Sequence, residues 1–338
     1  MVQPRVKVGL VGVGHLGRIH AKCLMQLDDL IEVVGVFDTD PAALERAEEK
    51  FGLKAFQDFD SLCTATDAVD IVTPTTTHLV LAKAAIEAGC HVFVEKPVTS
   101  TAREALELEQ LANSSGLIVQ VGHVERFNPA FAKIQDEGLR PVFVEAHRLA
   151  QFNPRSTDVS VVLDLMIHDL DLVLALMPSG VERVSASGVG VVGESVDIAN
   201  ARIDFVDGST ANLTASRISM KAMRKLRLFQ RDAYISLDLL EKQAEVFRLG
   251  PHDPEAPGPL QLPTDTGLRE VVYEQPEIPP SNAILEELRE FATAILTGKA
   301  VTVDVRQARQ TLELAERILA DIDRRRTQLT AQTSFGVA

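Results

Sequence analysis

The sequence predicts an α/β chain: a doubly wound parallel sheet at the amino end, followed by an α+β domain with an open, mainly antiparallel sheet. Three observations predict it. Short apolar runs alternate with helices of about 12 residues as far as Val121, the rhythm of βαβ units. Beyond Gly122 that rhythm gives way to successive strand-like runs joined by short turns, one of them Asp207-Gly208, a strong hairpin signal. Finally, 338 residues are long for one core and comfortable for two domains. The expected division is 1–124, 125–330 and a frayed tail at 331–338.

Lys7–Val11 is near-continuously apolar, as a buried parallel strand should be. A glycine turn and a helix from about Leu16 to Leu27 follow it. Glu32–Phe37 is the second strand, and Pro41 opens the next helix, its fixed φ suiting the first helical position. Val69–Thr73 is the third strand, and a helix then runs through Ala88 to stop at Gly89. Strand His91–Glu95, helix Thr101–Ser114 and strand Leu117–Val121 complete the alternation. In the second domain, strand Val142–Ala150 and a helix at Val159–Met177 precede six β-rich runs. These are Val184–Val192, Ala199–Phe205, Ser209–Ser216, Lys225–Phe229, Ala233–Asp238 and Ala244–Leu249. Gly250–Leu268, rich in Pro, Gly and Asp, reads as a loop. Ser281-Asn282 caps a helix through Leu296, and Val305–Arg326 is the last helix. Regular strands with apolar residues on both faces, such as Ile203, Phe205, Leu213, Ile235 and Leu237, imply more apolar surface than one helix layer covers, so the exposed sheet face is expected to be buried in a homodimer or homotetramer.

A net charge of −14 argues against nucleic-acid and anionic-membrane partners. No apolar run approaches the roughly 20 residues that span a bilayer. The start runs directly into a strand, so no signal peptide is expected. Cys23, Cys63 and Cys90 are odd in number and far apart, which suits reduced thiols in a cytoplasmic protein. No metal site is expected.

Gly12-Val13-Gly14-His15-Leu16-Gly17 lies between the first strand and its helix. Gly12 permits the tight turn, Gly14 lets the backbone approach a pyrophosphate, and Gly17 lets helix and strand pack closely. The helix terminus adds N–H donors and the positive dipole end. This is the dinucleotide-binding fingerprint of a Rossmann domain, and a ligandless glycine turn is the bland alternative. Asp38 ends the second strand 21 residues past Gly17. Its carboxylate would accept from both ribose hydroxyls and repel a 2′-phosphate, favouring NAD over NADP; an exposed loop carboxylate is the other reading.

Lys96 follows the strand Val92–Glu95 and is held by Pro97. Its ammonium would hydrogen-bond a substrate oxygen and stabilise alkoxide character; a salt bridge, for instance to Glu95, is the alternative. Asp164 and His168 stand four apart on a very apolar helix, with Asp171 three further on. A carboxylate one turn from an imidazole sets its tautomer and basicity, as a general base requires. The cluster is also open to a purely structural reading. Arg126 and Asn128 follow the last parallel strand, and Asn153 and Arg155 precede the His168 helix; all four are candidates to orient hydroxyls or phosphates. Arg217, Lys221, Arg224, Lys225 and Arg227 form a basic stretch that is either a solvated strand face or an anion-binding one.

The glycine fingerprint with Glu95-Lys96-Pro97, joined to Asp164-x-x-x-His168, resembles the Gfo/Idh/MocA family over nearly the whole chain. The resemblance implies hydride transfer between a sugar or polyol hydroxyl and a nicotinamide, with Lys96 contacting substrate and His168 as acid/base. It also implies a cofactor pocket lined by Thr73, Pro74, Thr75, His78, Glu95, Lys96 and Pro97; for His78 a helix-capping role is equally open. Leu165-Met166-Ile167 departs from the family, many of whose members carry a glycine there. Val121-Gly122-His123-Val124-Glu125-Arg126-Phe127-Asn128-Pro129 is similar to the subfamily that oxidises UDP-N-acetylglucosamine at C3 on the way to the 3-amino sugars of lipid A. That implies a nucleotide-sugar substrate. The rivals are a dehydrogenase of free sugars, polyols or inositols, and a non-catalytic NAD- or sugar-binding regulator.

Overall fold

The computed structural model describes residues 4–135, 138–153, 159–251, 255, 260–265 and 267–335, with side chains through residue 328. The chain divides into two compact units, Met1–Phe127 with Asn282–Glu313, and Asn128–Ser281 with Leu314–Ala338.

The first unit alternates as the apolar runs dictate: β1 (Val6–Val11), α1 (His15–Met25), β2 (Ile31–Phe37), α2 (Pro41–Phe51), α3 (Phe59–Ala65), β3 (Ala68–Ile71), α4 (His78–Glu87), β4 (His91–Glu95), α5 (Ala102–Ser115) and β5 (Val119–Gly122). Among the described residues its sheet has five strands, ordered β2-β1-β3-β4-β5 and parallel throughout. Local chemistry sets the helix ends. Asp40 accepts from the Ala42 N–H at 3.0 Å with Pro41 in the first helical position, and Thr101 and Glu104 form a reciprocal capping box. Gly89 ends its turn at a φ of 87°, which side-chain-bearing residues adopt only with strain. The short α3, started by Asp58 accepting from the Ser61 N–H at 2.7 Å, was not foreseen; seven residues show too few turns for a periodic signal.

The second unit begins with α6 (Pro129–Gln135), also unforeseen, and β6 (Phe143–Leu149). A widened π-type turn at Val162–Met166 leads into α7 (Ile167–Leu176). Among the described residues eight strands follow: β7 (Val181–Val189), β8 (Ile198–Phe205), β9 (Thr210–Ser216), β10 (Met223–Gln230), β11 (Ala233–Asp238), β12 (Gln243–Pro251), β13 (Gln261–Thr264) and β14 (Gly267–Glu274). Their order with β6 is β13-β14-β12-β11-β10-β6-β9-β8-β7, antiparallel except for the β6–β9 pair. Part of the stretch read as a loop is therefore the hairpin β13–β14. Pro263 concealed it, because proline is tolerated on an edge strand that needs no further donor.

Two helices end the chain, α8 (Ala283–Thr297), capped by Asn282, and α9 (Val305–Phe335). The sequence division put all of 125–330 in the second domain. In the structure α8 belongs to the first unit, because Leu288, Phe291 and Ala292 join the core of Val8, Leu10, Leu24 and Phe93. The last helix also continues beyond Arg326 into the stretch read as a frayed tail.

Ile203, Phe205, Leu213, Ile235 and Leu237 are all fully buried within the chain. They sit with Leu170 and Val173 of α7 and Ile318 and Ile322 of α9 in one core. The surplus of apolar surface inferred from them is thus absent. The outer face carries other residues: a row of rings, Phe143, Phe229, Tyr234, Phe247 and Tyr273, with successive centroids 5.7, 4.9, 5.7 and 4.7 Å apart. Cys23, Cys63 and Cys90 are free and buried. Among the described residues no helix is long and apolar enough to cross a membrane.

Candidate active site

In the first sheet β1 is flanked by β2 on one side and β3 on the other, so the loops leaving β1 and β3 diverge and open a crevice beyond the strand ends. The glycine turn lies there. Gly12 has a φ of +90°, and a Cβ on it would lie 2.6 Å from the Val72 carbonyl oxygen. A Cβ on Gly17 would lie 1.9 Å from the Gly12 carbonyl oxygen, so only glycine lets α1 start so close to β1. Gly14 is the opposite case: it is exposed, and a Cβ there would meet nothing within 4 Å. The backbone at Gly14 is open to an approaching group, with His15 and Leu16 exposed beside it. The first turn of α1 has neither a side-chain cap nor an acidic residue, leaving its N–H donors and positive dipole for an anion.

Asp38 is half-buried; its Oδ2 accepts from the Val13 N–H at 2.8 Å and its Oδ1 from the Asp40 N–H at 2.9 Å. A carboxylate has about four acceptor positions, so capacity for hydroxyl donors remains. After β3, the Thr77 hydroxyl donates to Thr73 Oγ1 at 2.7 Å. Thr75 is half-buried and Pro74 exposed. His78 is buried, with Nδ1 2.9 Å from the Pro97 carbonyl oxygen and Nε2 2.9 Å from that of Thr73. Its ring ties the loop after β3 to the end of β4. An open glycine backbone, an uncapped helix terminus and a carboxylate at the second strand end are what a dinucleotide needs, and the residues present fit NAD.

At the end of β4, Lys96 is half-buried and its backbone N–H donates to Glu95 Oε2 at 3.0 Å. Behind it lies a buried polar group. His20 of α1 places Nδ1 2.9 Å from Asp70 Oδ2 and Nε2 3.2 Å from Glu95 Oε1. Burial opposes charge on His20, but the Asp70 and Glu95 carboxylates outweigh it and hold the imidazole well above its ordinary range. Burial likewise pushes Glu95 up, and the His20 cation and Lys96 pull it down; the pull prevails. Glu287 of α8 completes the group, its carboxyl, the Glu95 carboxyl and a His20 nitrogen lying within 4.8 Å of one another. Sequence reasoning missed His20, Asp70 and Glu287. The available signal was a single polar residue on an apolar face: Asp70 within Ala-Val-Asp-Ile, and Glu287 within the stripe of Leu288 and Phe291.

In the second unit, Asp164 sits in the π-type turn and His168 at the start of α7, both half-buried. Such widened turns are rare and concentrate at functional sites. Their neighbour Asp169 is buried and receives Arg148 of β6 through Nε at 3.1 Å and Nη2 at 2.8 Å, a two-pronged ion pair that docks α7 on the sheet.

Other expected contacts fall elsewhere. The Asn128 amide donates to the Leu239 carbonyl at 2.9 Å and its oxygen accepts from the Ala130 N–H, so this side chain ties two backbone segments together. Arg217 is buried, its Nη2 bonding the Val159 and Val196 carbonyls beside Asp197, while its Nε and Nη1 have no hydrogen-bond partner among the described residues. Lys225 pairs with Asp238 and Arg227 with Glu145 on the outer sheet face, so much of the basic stretch is a neutralised strand surface. Arg126 is buried, Asn153 is exposed, and Arg155 lies outside the described residues.

A family model described as the oxidoreductase family with an NAD-binding Rossmann fold matches residues 6–123, and that of the Gfo/Idh/MocA C-terminal domain matches residues 139–235. The chain is 34% identical to a UDP-N-acetylglucosamine 3-dehydrogenase of Acidithiobacillus ferrooxidans over 94% of its own length and 97% of that protein's. The chain belongs to the Gfo/Idh/MocA family. It is accordingly an oxidoreductase with an NAD-binding Rossmann domain. A solved structure of the Acidithiobacillus enzyme superposes with a TM-score of 0.86 at 33% identity, covering 95% of this chain and 98% of that one. A scyllo-inositol 2-dehydrogenase (NAD(+)) of Bacillus subtilis is 30% identical over 64% of this chain and 69% of its own. The fold is shared with a solved structure of levoglucosan dehydrogenase in complex with NADH and levoglucosan, with a TM-score of 0.81 at 20% identity over 95% of this chain and 98% of that one.

Proposed function

We propose that this protein oxidises a secondary hydroxyl of a nucleotide sugar with NAD, the substrate being UDP-N-acetylglucosamine and the carbon C3. The observation that carries this reading is the identity to the Acidithiobacillus enzyme across almost the full length of both chains, second unit included. Similarity to the inositol dehydrogenase covers a smaller share of the chain, and it supports the second reading, a polyol substrate.

The Gly12–Gly17 turn would hold the pyrophosphate of NAD, and Asp38 the adenosine ribose, where its charge disfavours a 2′-phosphate. When bound, NAD supplies a hydride acceptor at the nicotinamide ring. His168, its tautomer set by Asp164, takes the hydroxyl proton. The Lys96 ammonium would donate a hydrogen bond to a substrate oxygen and stabilise the charge that develops there. Arg126, Asn153 and Arg155 are retained as sugar-nucleotide contacts. The ring row on the outer sheet face would pair with a second copy in a homodimer or homotetramer, and the setting is cytoplasmic.

The test is direct: NADH formation from NAD with UDP-N-acetylglucosamine, and a product lighter by two hydrogens in mass spectrometry. Turnover of scyllo- or myo-inositol, with none on any nucleotide sugar, would replace the first reading with the second.

A further inference from the structure

Behind Lys96, the first unit gathers a cluster of ionisable side chains, most of them buried. α1 contributes His20 and Cys23, β3 contributes Asp70, β4 and the residue after it contribute Glu95 and Lys96, and α8 contributes Glu287 and Glu290. Both nitrogens of His20 face carboxylate oxygens, Nδ1 hydrogen-bonded to Asp70 and Nε2 3.2 Å from Glu95 Oε1 without a formed hydrogen bond, an anionic setting that suits the imidazolium. Glu287 is fully buried, and among the described residues neither of its oxygens has a hydrogen-bond partner. Ionised, it would face the Glu95 anion without a donor, the most costly state open to a buried carboxyl. Protonated, it loses the charge and gains a donor. The space is closed: a Cβ on Gly122 of β5 would lie 2.8 Å from Glu95 Oε1, and the Gln120 amide donates to the Glu287 carbonyl at 3.0 Å, fixing α8 in place.

We propose that Glu287 keeps its proton and shares it with Glu95, closing a buried chain Asp70–His20–Glu95–Glu287 that positions Lys96 through its backbone N–H. Glu95 then has one oxygen committed to His20 and Glu287 and the other to Lys96, and it cannot turn. Glu287 touches no reacting atom; it is a positioning residue, and its catalytic effect rests on the role proposed above for Lys96.

Burial, reinforced by the Glu95 carboxylate, holds Glu287 well above the usual carboxylate range. The folded state therefore binds this proton more tightly than the unfolded chain. Its contribution to stability is fully present below about pH 4.3 and is lost as pH rises through the folded value. His20, also raised, acts in the same direction from about pH 6.5 upward.

The experiment compares wild type with Glu287→Gln and Glu287→Ala, as full chains with and without NAD, by thermal unfolding from about pH 5 to 9 and by steady-state kinetics. The melting temperature of Glu287→Gln relative to wild type is expected to rise with pH, because glutamine cannot titrate. Glu287→Ala is expected to lower kcat about tenfold or more with the KM for NAD little changed, and Gln to restore most of that loss. A melting difference independent of pH, or a Gln variant as slow as Ala, would overturn the proposal. So would Zn²⁺ or Mn²⁺ raising the melting temperature of wild type and not of Glu287→Gln, which would make the cluster a metal site. The melting arm reads the proton whatever Lys96 does. Near-normal turnover of Lys96→Met would overturn the Lys96 role and leave that arm standing.

Discussion

The Val13 N–H donates to Asp38 Oδ2 at 2.8 Å, so the carboxylate at the end of β2 braces the glycine turn after β1. The residue proposed to select the ribose also shapes the seat of the pyrophosphate. Asp38→Ala is therefore expected to do two things. It raises the KM for NAD about tenfold or more, the scale of losing hydrogen bonds to a charged group, and it narrows the preference for NAD over NADP. Cofactor kinetics with both nucleotides check this; an unchanged KM for NAD would remove Asp38 from the site.

Lys96→Met and His168→Ala are each expected to lower kcat by about 10²-fold or more, the usual scale for a positioned proton acceptor or oxyanion donor. NAD affinity, read by fluorescence titration, should stay nearly constant. Asp164→Asn should give a smaller loss and a displaced pH–rate profile, since it alters the charge beside the imidazole.

Asp169 and Arg148 form a buried two-pronged pair beside His168. Removing one partner leaves the other charge buried and unmatched, so Asp169→Asn should cost about 3–5 kcal/mol in denaturant unfolding. A loss within about 0.5 kcal/mol, the scale of surface substitutions, would show that the pair is not structural.

Acid should loosen the docking of α9. Burial pushes Asp321 up, but the Ala186 N–H at 2.7 Å and the neighbouring Arg324 and Arg325 prevail and hold it below its ordinary value. Its contribution to stability is present above the unfolded value near pH 3.9 and is lost as pH falls through the lower folded value. Asp321→Asn should flatten this part of the stability profile; an unchanged acid slope would show that Asp321 does not control it.

The ring row on the outer sheet face includes Tyr273, which is 48% exposed. If a second copy covers it, Phe247→Glu should shift the protein from dimer to monomer in light scattering at micromolar concentration. A wild-type monomer at that concentration would dispose of the interface.

Most of the first unit was legible from residue order alone. A parallel strand buried on both faces needs an unbroken apolar run, and Val8, Leu10, Val92 and Val94 display it without reference to any partner. The glycine turn was legible for a similar reason: the constraints on Gly12 and Gly17 come from backbone atoms within a few residues of the turn or on the adjoining strand. Hence the fold class and the conformation of the glycine turn could be read early. What tertiary structure decided is which polar side chains are free to act. Asn128, Arg217 and His78 carry groups suited to binding a ligand, yet each is engaged by backbone carbonyls from other segments, which no local pattern reveals. Conversely, His20, Asp70, Glu95 and Glu287 come from four separate elements, and only folding makes them neighbours. The sheet shows the same division. Sequence alone distributes Ile203, Leu213 and Ile235 over both faces of the sheet, and only the packing of α7 and α9 decided that they share the interior one. Short-range sterics are written into the chain in order, whereas burial and charge pairing depend on segments distant in sequence, and those are settled only when the chain closes on itself.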